Sequence, residues 1–87
     1  MATLFVPNQL RGLTGGESEF PAVGGTLREV LQDAHARYPQ FVEQIVRDGE
    51  LMPGIAVAID GAMTNRGLLA KVSPASEVHF LPAIGAG

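Results

Sequence analysis

The sequence has no cysteine and no tryptophan, and its cations are few: six Lys and Arg stand against nine Asp and Glu, a formal charge of −3. Without cysteine there is no disulfide scaffold, thiolate nucleophile, Cys-ligated zinc or Fe–S cluster. The six cations (Arg11, Arg28, Arg37, Arg47, Arg66 and Lys71) are scattered along the chain. Neither net charge nor clustering therefore favours the counterion release that drives nucleic-acid binding. Long apolar runs are missing as well. None approaches the ~20 residues of a bilayer span, and the N-terminus opens on a short alternating run instead of a basic stretch and an apolar helix. No nucleic acid, no membrane and a cytoplasmic location are expected. Apolar residues are plentiful, at 46% of 87 positions, which suffices for one compact core but not for two domains.

Along the chain, Ala2 to Pro7 alternates Leu4 and Val6 with Thr3 and Phe5, strand periodicity closed by a proline. Turn formers fill Arg11 to Gly16, and Glu17 to Val23 returns as a second strand, so a hairpin is expected, with Pro21 placing that strand at an edge. After Gly24-Gly25, Thr26-Leu27-Arg28-Glu29 reads as a capping box in which the Thr26 hydroxyl accepts from the Glu29 amide and the Glu29 carboxylate reaches back. Leu27, Val30, Leu31, Ala34 and Tyr38 form one helical stripe ended by Pro39. Phe41, Val42, Ile45 and Val46 suggest a second short helix finishing near Asp48-Gly49. Ile55, Val57 and Ile59 alternate with Ala56 and Ala58, Asp60-Gly61 turns the chain, and a short strand follows near Ala62 to Thr64. Glu77 to Leu81 is the last strand, with Val78 and Phe80 on one face and His79 and Leu81 on the other. Strands grouped around one helix define an α+β fold, a mixed sheet of four to five strands packed on one main helix.

Few side chains offer chemistry. Gly12 and Gly15-Gly16 are followed by no Lys-Ser or Lys-Thr pair and open no helix, so they read as a hairpin loop and not a phosphate site. His35 has no second histidine at metal spacing, and no metal site is expected. His79 has no visible nucleophile to serve as base. No acid, base or nucleophile constellation marks a stand-alone enzyme. The unusual segment is the ending, Leu81-Pro82-Ala83-Ile84-Gly85-Ala86-Gly87, a thin Pro, Ala and Gly run beyond the last strand that closes no core.

This order of elements, with Phe5-Val6-Pro7 ending the first strand, Thr26 to Leu31 opening the helix, Ile59-Asp60-Gly61 at the hairpin and Val78 to Ile84 before the tail, resembles the ubiquitin-like β-grasp sulfur carriers of the ThiS and MoaD family. The likeness covers essentially the whole chain. It implies a β-grasp domain over 1–81 and a flexible C-terminal tail over 82–87. It also implies a carrier and not an enzyme, one that binds no cofactor itself. In that family a partner adenylating enzyme uses ATP to activate the C-terminal carboxylate, and sulfide from a donor then displaces AMP to leave a thiocarboxylate. An acceptor biosynthetic enzyme consumes the sulfur, for molybdopterin, thiamine thiazole, cysteine or a specialised metabolite. Carried over, Gly87 bears the reacting carboxylate, free without processing, and Pro82, Ala83, Ile84, Gly85 and Ala86 thread the partner's active site. Six residues give ~20 Å of reach at ~3.3 Å each. The first and last strands of a β-grasp sheet are parallel central neighbours. Phe5, Ala56, Ala58, His79 and Leu81 are then expected on the face opposite the helix, as the docking surface for the activating enzyme. Arg11, near the tail end of the sheet, is a further candidate to meet an acidic partner surface.

The tail departs from the family at one position, because sulfur carriers typically finish in Gly-Gly and this chain finishes in Ala86-Gly87. Three readings of Ala86 stay open: a tail suited to a slightly wider channel, an alteration of a Gly-Gly original, or a protein that has left sulfur transfer. In the last case the chain is an interaction or regulatory subunit that inserts its tail into a partner's active site without being activated. A protein tag joined to a lysine by an isopeptide bond is a further reading. An alanine held at φ > 0 would cost ~1–2 kcal/mol, roughly a tenfold loss in rate. Ala86→Gly is therefore expected to raise the rate of activation several-fold in a pyrophosphate-release assay with the adenylating enzyme; equal rates would show that position 86 binds extended.

Overall fold

In the computed structural model, which describes residues 1–82, the chain forms one five-stranded mixed sheet with two helices on one face. β1 (Ala2–Phe5) pairs antiparallel with β2 (Glu19–Ala22), which lies at the sheet edge as Pro21 requires. Between them a 3-10 turn spans Asn8–Leu13, and the loop beyond it is held by the buried Thr14, whose hydroxyl lies 3.2 Å from the Arg11 carbonyl and 2.8 Å from that of Glu17. The second strand begins at Glu19 and not Glu17, because this loop uses residues 14–18 for its own turns.

α1 (Leu27–Arg37) buries Leu27, Val30, Leu31 and Ala34, the predicted stripe, with Tyr38 at its C-cap. The Thr26 hydroxyl accepts from the Glu29 amide at 3.2 Å, but the Glu29 carboxylate bonds the amide of Gly25, not that of Thr26, at 2.7 Å. The reciprocal half of the capping box is thus displaced by one residue; beside it Thr26 bridges Lys71, with the Leu27 amide donating to the Ala70 carbonyl and the Val72 amide to that of Gly25. α2 (Pro39–Ile45) then buries Phe41, Val42 and Ile45. It ends earlier than expected: Val46 belongs to β3 (Val46–Arg47), which turns through Asp48 (φ 55°) and Gly49 (φ 77°) into β4 (Glu50–Leu51). Both central residues at positive φ make this a type I′ hairpin, the meaning of an Asp-Gly pair that helical periodicity had hidden.

β5 (Ile55–Ile59) and β6 (Ala62–Met63) repeat that turn at Asp60 (φ 53°) and Gly61 (φ 83°). A short 3-10 turn (Gly67–Leu69) leads toward β7 (Glu77–Pro82). The strand order is β2-β1-β7-β5-β6, with β7 parallel to β1 and antiparallel to β5, so the first and last strands are central neighbours. Leu4, Val57, Val78 and Phe80 point into the helical layer, where Phe20, Phe41 and Phe80 meet edge to face at 5.9 Å. Ile55 and Ile59, half-buried, close the rim of this core. Burying each such side chain contributes ~1.5–3 kcal/mol. Among the described residues no helix is long and apolar enough to cross a membrane.

Two contacts tie the layers together. Gly24, at φ +154°, lies against the first turn of α1, where an added Cβ would fall 2.6 Å from Glu29 Cβ and 2.7 Å from the Val30 nitrogen. Asp60 joins the end of β5 to the start of β7, accepting from the Glu77 amide at 2.9 Å and the Ser76 hydroxyl at 2.8 Å. The Glu77 amide, then the Ser76 hydroxyl, hold its carboxyl below the ordinary carboxylate value.

Gly24→Ala is expected to destabilise the fold by roughly 2 kcal/mol, about 10 °C in Tm, with an intact far-UV spectrum below the transition. A depressed folded pKa stabilises above the unfolded value, and that gain is lost as pH falls through the folded one. Asp60→Asn should therefore lower Tm at pH 7, and the gap between variant and parent should narrow as the pH falls below the ordinary aspartate value. A gap unchanged by acid would show that the turn, not the charge, carries the effect.

Candidate functional site

The face of the sheet away from the helices is where the topology collects the predicted contact residues. Cross-strand register aligns Glu19, Phe5, His79, Ala58 and Met63 in one row from β2 to β6, with Ala56 opposite Leu81 in the next. All five residues expected on this face from sequence (Phe5, Ala56, Ala58, His79 and Leu81) lie together on it. The Phe5 and His79 rings stack, with centroids 4.1 Å apart and planes within 6°. Next to this stack the short side chains of Ala56 and Ala58 keep the surface low, while Leu81 is 45% and Met63 62% exposed. The imidazole Nε2 of His79 lies 3.9 Å from Glu77 Oε1, both side chains solvent-facing.

At the end of the sheet where β7 runs out, a groove of about 330 Å³ is lined by Phe5, Pro7, Arg11, His79 and Leu81, among others. Arg11 is positioned there by its own loop: its Nε donates to the Val6 carbonyl at 3.2 Å and its Nη1 to Asn8 Oδ1 at 3.1 Å. Pro82, read from sequence as the first tail residue, is the last residue of β7, opposite Ile55. The strand gains that residue because a proline at the strand end sacrifices only its missing N–H. Ala83, Ile84, Gly85, Ala86 and Gly87 lie outside the described residues.

Met63 was not singled out on this face beforehand, though a two-residue Asp-Gly turn sets Ala58 opposite Met63 and would have placed it. His35, the other histidine, sits across the helical layer near Glu43, with 3.5 Å between Nε2 and Oε2. Among the described residues no cluster of His, Asp or Glu could hold a metal ion.

A helix-backed mixed sheet with parallel central β1 and β7, and with β7 leading out beside an open apolar face, defines a ubiquitin-like β-grasp protein. The chain belongs to the ThiS family, whose model matches residues 4–87. It is 30% identical over 90 residues to sulfur carrier protein CysO of Mycobacterium tuberculosis, covering 98% of this chain and 97% of that protein. It superposes with a TM-score of 0.92 and 29% identity on a chain of the Amycolatopsis orientalis BexX/CysO complex, with all of both chains covered. The crystal structure of M. tuberculosis CysO gives a TM-score of 0.88 at 27% identity, covering 97% of this chain and 100% of that one.

The open face is expected to be separable from the core. His79→Asp, which places a second carboxylate beside Glu77 in the middle of the row, and Leu81→Ser should each weaken, about tenfold or more, binding to the activating enzyme that the family resemblance implies. Tm should change by no more than a few degrees. Calorimetric titration against the enzyme checks the first statement and thermal melts the second; undiminished binding by both variants would remove this face as the docking surface.

Proposed function

We infer that Gly87 is where this sulfur carrier holds its sulfur. Its carboxylate attacks the α-phosphate of ATP in a partner adenylating enzyme, pyrophosphate leaves, and the acyl-adenylate carries a carbonyl carbon that a nucleophile can attack. Sulfide from a donor attacks that carbon, AMP departs, and a thiocarboxylate remains. A carboxylate needs this route because its delocalised charge and poor leaving group make it a weak electrophile. The observation that carries the reading is that the family match runs from residue 4 in the first strand through Gly87.

The chain's own contribution is presentation. β7 is gripped on both sides by β1 and β5 up to Pro82, and the open face beside it docks the activating enzyme. The relative crystallised as a BexX/CysO complex supports a working state that includes a partner protein. Pro82 to Ala86 then enter the partner's active site, ATP is bound there and not on this chain, and the carrier is a co-substrate instead of an enzyme. An acceptor biosynthetic enzyme takes the sulfur onward, in the cytoplasm.

Intact mass spectrometry after incubation with ATP, a sulfur donor and the adenylating enzyme tests the reading. A gain equal to exchanging one oxygen for sulfur is expected, absent without ATP and absent when Gly87 is deleted. Tight binding to the enzyme with no such gain would instead establish an interaction subunit that is not activated, and covalent protein adducts through lysine would establish a tag.

A further inference from the structure

The helical layer carries a second concave surface that sulfur loading does not use. Between α1, α2 and the β3–β4 hairpin, a pocket of about 200 Å³ is lined by the aliphatic residues Leu31, Val42, Val46 and Leu68 together with Arg28. A groove of about 440 Å³ shares Arg28 and Leu68 with it and adds Leu51, Arg66 and Leu69, the last 67% exposed. Both arginines are exposed, and among the described residues neither has a carboxylate within 4.0 Å or donates a side-chain hydrogen bond. An isolated surface arginine is ordinary. Here two of the six cations of a chain with nine carboxylates converge on one groove with an aliphatic floor.

Guanidinium forks bind carboxylates in bidentate fashion, and the adjoining pocket is sized for one apolar side chain. A nucleic-acid strand would call for a longer track of cations, and Glu50, which also lines the groove, opposes a dense phosphate run. We propose that this surface docks a short segment of a second protein, in which an apolar side chain enters the Leu31–Val42–Val46–Leu68 pocket and flanking carboxylates meet Arg28 and Arg66. The groove shares no lining residue with the one beside Phe5 and His79, so the two surfaces are separate. The proposal stands apart from the thiocarboxylate reading, because none of its residues belongs to the open face or the tail.

A random dodecapeptide display library selected on the full-length chain, with the Arg28→Glu/Arg66→Glu chain as the counter-selection, tests it. Enriched peptides are expected to carry an apolar residue flanked by Asp or Glu. A synthetic copy of one should shift the amide resonances of residues 28, 49 and 66–69 of the parent and bind roughly tenfold more weakly to Arg28→Ala/Arg66→Ala and to Leu69→Ser. The loading of sulfur measured by intact mass should be the same in those variants as in the parent. Enriched peptides without acidic bias, equal affinity for the variants, shifts confined to Phe5, Ala58 and His79, or saturable shifts from inorganic phosphate alone would each overturn the proposal.

Discussion

The parallel pairing of β1 with β7 is the contact on which the rest of the molecule depends. It joins residues more than seventy positions apart, Thr3 with Glu77 and Phe5 with His79, across the helices and the β5–β6 hairpin that lie between them in the chain. Side chains alternate along a strand, so this one register decides both faces at once. It sends Leu4, Val78 and Phe80 into the core and stacks Phe5 on His79 outside it. A slip of one residue would expose the core and bury the contact face together.

Local devices hold that register. The Asp60 carboxylate fastens the start of β7 to the end of β5, and the backbone around Ala70 to Val72 caps the beginning of α1, satisfying an amide that the helix itself leaves without a partner. Gly24 lets β2 come close enough to α1 for the sheet and the helix to share one core. Stability is therefore concentrated on the helix side of the sheet. The opposite face is left with small alanines, one aromatic stack and exposed Leu81 and Met63, a surface available to a partner.

The open sheet face lies next to the end of β7. The helical face carries its cations and aliphatic pocket away from that end.

Periodicity and punctuation in the sequence by themselves determined the elements: the Leu27 to Ala34 stripe with its Thr26 cap, the alternation of Ile55 to Ile59 before Asp60-Gly61, the edge position announced by Pro21, and the two faces of Val78 to Leu81. These are short-range properties, set by backbone sterics and by hydrophobic spacing within a few residues. The β3–β4 hairpin was not legible, because Val46 continues an apolar helical pattern and only the tertiary pairing of Val46 with Leu51 turns it into a strand. The bond of the Glu29 carboxylate to Gly25 and not to Thr26 was likewise not legible from the capping-box pattern. The stack of Phe5 on His79 and the convergence of Arg28 with Arg66 were also decided only in three dimensions. Each brings together side chains from different elements, and no spacing along the chain encodes the distance between strands that meet across a sheet.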